Sequence, residues 1–104
     1  MNNIIEKLET ILQDRKNKDP EDSYVSSLYS KGNQHICDKI MEEAGELVDA
    51  TEDGKAQVVH EPADLLFHVL VLLASLDIKY ATILDELTKR FGTSGIEEKN
   101  NRKK

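Results

Sequence analysis

The segment MEEAGELVDA, residues 41–50, places Glu42, Glu43 and Glu46 within five positions of an amphipathic stretch. A helix advances about 100° per residue, which sets Glu42 and Glu46 about 40° apart and Glu43 and Glu46 about 60° apart. Lys39 sits one turn before Glu43. A second acidic pair, Glu61 and Asp64, follows at spacing i, i+3, with His68 one turn further on. Two carboxylates 5 Å apart repel by roughly 3 kcal/mol at an effective dielectric near 20. On an open surface, solvent and outward-bent side chains relieve that cost. Beside the most apolar segment of the chain, relief falls to protonation or to a divalent cation. Carboxylate oxygens and water suit a hard ion, Mg²⁺ or Mn²⁺, and Mg²⁺ characteristically completes its shell with substrate phosphates.

The plain alternative is a solvated acidic face, with Glu61 and Asp64 favoured by the dipole of a helix's first turn. What sets this chain apart is the conjunction of ExxE with ExxD, the second pair leading directly into an apolar run. On spacing alone the two readings stand level.

The elements that must position these groups read as helices. Ile4, Ile5, Leu8, Ile11 and Leu12 recur at three and four, predicting a first helix that ends near Lys16 to Lys18. Pro20 punctuates the break that follows. Ser23 is placed to cap a short helix, YVSSLYS, which Gly32 ends, and Asn33 to cap the next. A long helix from about Gln34 to Glu52 carries the stripe Ile36, Ile40, Met41, Ala44, Leu47 and Val48, and Gly54 stops it. The next covers the run to Leu76, either starting at His60–Glu61 or continuing from Lys55 with a kink at Pro62. A last helix, Tyr80 to Phe91, turns Ile83, Leu84 and Leu87 inward. Nothing alternates like a strand. The expected class is all-α, a bundle of about four main helices in one domain over residues 1–104, with a tail from about 95 and completion by homodimerisation.

Composition bounds the partners. Fourteen basic against twenty acidic residues give a net charge of −6, which argues against a nucleic-acid binder. The single cysteine, Cys37, excludes an internal disulfide and fits a reducing compartment. MNNIIEKLET has no signal-peptide pattern, and the longest apolar stretch, Leu65 to Leu76, spans 12 residues where a membrane helix needs roughly 20. No membrane association and a cytoplasmic location are expected.

Three segments, ICDKIMEEAGELVDA, HEPADLLFHVLVLL and RFGTSGIEEKNNR, together with SYVSSLYSKG upstream, resemble the phosphoribosyl-ATP pyrophosphatases of histidine biosynthesis. The resemblance runs from Leu8 to Arg102. The ExxE…ExxD element alone indicates only the broader MazG-like all-α nucleotide pyrophosphohydrolases; the SGIEEK-type tail and the SY…G segment narrow it. The resemblance implies hydrolysis of the α–β phosphoanhydride of phosphoribosyl-ATP to phosphoribosyl-AMP and pyrophosphate, Mg²⁺ dependence and a homodimer. It implies Glu43, Glu46, Glu61 and Asp64 as metal ligands, Glu42 as the acid for a second metal or for activating water, and Lys39 as a phosphate contact. Pro62 departs from the family pattern, which leaves the helix path at Glu61 open. A companion cyclohydrolase does not fit within 104 residues, so the next step is expected from another protein.

His68 falls on the carboxylate side of its helix and reads either as a core histidine or as a partner of a carboxylate or substrate. Arg90, Ser94, Lys99 and Arg102 are candidates to gather phosphate or ribose oxygens. Cys37 reads as a small buried hydrophobe, His35 and His60 as exposed, and Tyr24 as a packing ring. Two alternatives remain: a house-cleaning nucleoside-triphosphate pyrophosphatase acting through the same acids, and a non-enzymatic helical module that the acids merely solubilise.

Overall fold

A computed structural model describes residues 3–91, apart from the side chains of 55 and 56. Among the described residues the chain forms five α-helices and no strand: α1 Ile4–Asp14, α2 Tyr24–Lys31, α3 Asn33–Ala50, α4 Lys55–Ser75 and α5 Tyr80–Phe91, with a 3-10 turn at Arg15–Asn17 after α1. The tail expected from about residue 95 lies outside the described residues.

Helix ends follow local chemistry. The Ser23 side chain accepts from the Ser26 N–H at 3.2 Å and caps α2 as expected. Gly32, at φ +95°, ends α2 and begins α3; its N–H donates to the Leu28 and Tyr29 carbonyls, a conformation an L side chain rarely adopts. Asn33, expected as a cap, gives α3 no side-chain cap; its Oδ1 instead accepts from the Ser75 hydroxyl at 2.9 Å, tying α3 to the end of α4. Gly54, at φ +121°, turns the chain into α4. The choice at Pro62 falls to the longer helix. α4 begins at Lys55 and carries Pro62 inside it, at the cost of the N–H that would have answered the Val58 carbonyl.

The core gathers Leu12 from α1, Val25 and Leu28 from α2, Ile36 from α3, and Leu70, Val71 and Ala74 from α4. Ile5, Leu8, Ile40, Phe67 and Tyr80 pack around it. The antiparallel α3–α4 hairpin is the most extensive pairing. α5 is anchored at its start, where the Tyr80 N–H donates to Glu9 Oε2 at 2.7 Å, and buries none of its residues fully. Part of the expected apolar stripe therefore stays uncovered. Met41 and Val48 of α3 are 74% and 69% exposed, and Leu84 and Leu87 of α5 are about half exposed. Continuation through Pro62 also lengthens the apolar helix. Gln57–Ser75 has mean hydropathy 1.5 over 19 residues and meets the length and composition of a membrane span. It also carries Glu61, Asp64 and His68, and His68 meets Tyr24 of α2 and Glu43 of α3.

Candidate active site

The hairpin turn at Gly54 brings the C-terminal half of α3 back along the N-terminal half of α4, which sets the two acidic pairs opposite each other. Carboxylate oxygens of Glu43, Glu46 and Glu61 all lie within 4.8 Å of one another, and ligand atoms of His60, Glu61 and Asp64 form a second group of the same span. Glu61 belongs to both and joins them. His60, exposed as expected, sets Nε2 3.2 Å from Asp64 Oδ2.

The arrangement costs energy as it stands. Glu43 Oε2 and Glu61 Oε2 are buried without a hydrogen-bond partner among the described residues. A desolvated carboxylate oxygen left unpaired is expensive. Burial above all, with the Glu46 carboxyl against it and the Asp64 charge adding, lifts the Glu43 carboxyl above its ordinary 4.5. Glu61 is lifted for the same leading reason, reinforced by Glu46 and Asp64 and opposed by His60. The Glu43, Glu46 and Glu61 group offers oxygen donors alone, two of its residues with orphaned lone pairs, and so fits a hard divalent cation; the other group adds one imidazole nitrogen from His60.

Around this cluster the other expected residues divide. Glu42 is exposed and outside the groups of converging ligand atoms, its Oε2 3.6 Å from Lys39 Nζ. Arg90 lies on α5 and pairs with Glu86 at 3.8 Å. Ser94, Lys99 and Arg102 lie outside the described residues. His68 is buried: its Nδ1 stands 3.0 Å from the Asp64 carbonyl oxygen and 3.7 Å from Glu43 Oε1, and its Nε2 2.9 Å from the Tyr24 hydroxyl. Cys37 and His35 are both half-buried, against expectations of burial and exposure.

The contacts of two residues beside the acids, His60 and Tyr24, go beyond the exposure and ring packing expected of them. His60 stands at i, i+4 from Asp64, a spacing that reveals it. Tyr24 is 44 positions from His68, and only the tertiary fold joins them.

Among the described residues, an all-α hairpin on which acids from both arms converge defines the class, a helical carboxylate centre with room for a cation. The sequence profile described as Phosphoribosyl-ATP pyrophosphohydrolase matches residues 5–91. The phosphoribosyl-ATP pyrophosphatase of Vesicomyosocius okutanii is 50% identical over 103 residues, covering 98% of each chain. Its namesake in Ruthia magnifica is 48% identical over the same span, and that of Geobacter sulfurreducens 47% over 100 residues, covering 95% of this chain and 93% of its own. The chain belongs to the phosphoribosyl-ATP pyrophosphohydrolase family.

Proposed function

We propose that this protein hydrolyses the α–β phosphoanhydride of phosphoribosyl-ATP, giving phosphoribosyl-AMP and pyrophosphate, the second step of histidine biosynthesis. The observation that carries the reading is the meeting of Glu43, Glu46 and Glu61 oxygens within 4.8 Å, two of the three residues holding a buried oxygen without a partner. A triphosphate cannot approach such a cluster unaided, and family membership supplies the substrate class. Glu43, Glu46, Glu61 and Asp64 would hold Mg²⁺, for which Mn²⁺ could substitute. When bound, the ion neutralises phosphate charge and lowers the pKa of a water.

The chain's own residues do the rest. Glu43 and Glu61, partly desolvated between the helices, keep the acids of the pocket crowded and short of a counter-charge. Lys39, beside Glu42 at the edge of the acids, reaches a phosphate oxygen; Glu42 serves a second ion or takes the proton of the attacking water. A water oxygen would bond to phosphorus as the bridging P–O bond breaks, with the water's proton passing to a carboxylate of the cluster and pyrophosphate departing. Arg90, Ser94, Lys99 and Arg102, basic and hydroxyl groups near a glycine turn, gather phosphate and ribose oxygens. His68 acts beside Glu43 from within the fold.

The working unit is a soluble, cytoplasmic homodimer. Met41, Val48, Val59 and Phe91 are 74%, 69%, 73% and 93% exposed, and apolar surface spread over α3, α4 and α5 supports a partner subunit that covers it. Coverage of this kind also accounts for the apolar length of α4 without a membrane.

Incubation of the pure protein with phosphoribosyl-ATP and, separately, with a panel of free nucleotides tests the assignment. Mg²⁺-dependent release of pyrophosphate fastest from phosphoribosyl-ATP is the expected result. Faster turnover of a free nucleoside triphosphate points instead to house-cleaning, and no release with any of them overturns the hydrolase reading.

A further inference from the structure

We propose that Tyr24 and His68 are positioning residues for this site: the Tyr24 hydroxyl fixes the His68 ring so that its Nδ1 edge is held beside Glu43. The inference rests on the reading of Glu43 as a cation ligand and deepens it.

The hydrogen bonds decide the ring's state. A backbone carbonyl can only accept, so the 3.0 Å contact between Asp64 O and His68 Nδ1 puts the proton on Nδ1. In the neutral ring Nε2 is then an acceptor, and the Tyr24 hydroxyl, 2.9 Å away, is the donor that meets it. The positive edge of the ring thereby lies along the side where Glu43 Oε1 stands, 3.7 Å from Nδ1. That distance is too long for a good hydrogen bond but short enough for charge and dipole to orient the carboxylate.

Packing removes the ring's other options. His68 is 6% exposed, and edge contacts hold it on two sides: Phe67 at 5.3 Å and 88°, Tyr24 at 6.0 Å and 90° between ring centroids and planes. Tyr24 itself is 53% exposed, so its hydroxyl contributes more to His68 than its ring contributes to the core. Three helices thus converge in one chain of contacts, Tyr24 on α2, His68 on α4 and Glu43 on α3, ending on the acid whose other oxygen is buried without a partner. Ligands oriented from behind in this way lose about 10–100-fold in metal affinity when the supporting contact is removed.

Two measurements on the full chain test this, neither using turnover. Calorimetric titration with Mn²⁺, without substrate, is expected to show about tenfold weaker binding in Tyr24→Phe with an unchanged thermal midpoint. His68→Gln, which keeps an N–H donor, should retain more affinity than His68→Leu. Equal affinity in wild type and Tyr24→Phe overturns the proposal. The second measurement is a metal-free cycle of urea unfolding with Tyr24→Phe, Glu43→Gln and the double variant. A departure of the unfolding constants from multiplicativity by about threefold or more supports coupling through His68, and multiplicative behaviour overturns it. Should wild type bind no Mn²⁺, the ligand reading of the acids fails on its own, and the cycle still decides whether Tyr24 acts on Glu43.

Discussion

The Glu61 carboxylate stands within 4.8 Å of the Glu46 carboxylate across the α3–α4 hairpin, and one oxygen of Glu61 is buried with nothing to bond. Two like charges from different helices are thus held together by packing elsewhere in the molecule. Leu70, Val71 and Ala74 on one arm and Ile36 on the other dock the hairpin, and the acids are carried into contact.

Removal of one such charge should therefore stabilise the metal-free protein and weaken it as a receptor. Glu61→Gln is expected to raise the thermal midpoint in EDTA above wild type while losing most of the further rise that Mg²⁺ or Mn²⁺ produces. For wild type, a cation at a hundred times its Kd adds about 2.7 kcal/mol. A Glu61→Gln midpoint below wild type in EDTA would count against the strain described here.

The pH dependence has a definite sign. Glu43 and Glu61 hold their protons above 4.5 in the fold, so between 4.5 and their raised values the folded chain binds more protons than the unfolded one. Their contribution to stability then falls as pH rises through that window and is level above it. Cation binding needs the carboxylates ionised, so metal-induced stabilisation grows over the same rise. Urea midpoints of wild type minus those of Glu43→Gln, with and without Mg²⁺, isolate the effect. A difference independent of pH contradicts it.

Pro62 deprives the Val58 carbonyl of its helical donor within α4. Pro62→Ala should stabilise the fold by about 1–3 kcal/mol, since proline in a helix interior costs about 3 kcal/mol relative to alanine. Urea unfolding measures this, and a net loss would show that the proline has a packing role that outweighs its missing N–H.

The uncovered apolar residues predict association. Met41→Lys and Leu87→Lys, both at exposed positions, should leave helicity intact and shift the sedimentation coefficient toward that of a single chain. Wild type sedimenting as a monomer at micromolar concentration would remove the homodimer from the account. By contrast Ile36→Ala, at a fully buried position, should cost about 2–5 kcal/mol without changing assembly.

Much of this architecture was legible in the residues because helical periodicity and acid spacing are both local signals. The turn at Gly32, the cap at Ser23, the span of α5 and the spacing within each acidic pair all follow from neighbours within a few positions, and the short connection at Gly54 sets the two pairs opposite each other. What stayed hidden depends on distant parts of the chain. Asn33 found a hydroxyl at Ser75 in place of its own helix, and Tyr24 found His68. Met41, Val48, Leu84 and Leu87 satisfy the inward pattern of their helices, yet no element among the described residues covers them. Pro62 was ambiguous because a proline tolerated in a first turn and one held inside a longer helix leave the same local signature.

A crystal soaked in Mn²⁺ and measured for anomalous scattering addresses the centre of the account. A strong peak among the carboxylates of Glu43, Glu46, Glu61 and Asp64 is the predicted result. A map with no peak there, or with manganese only at acids outside the α3–α4 hairpin, would contradict it.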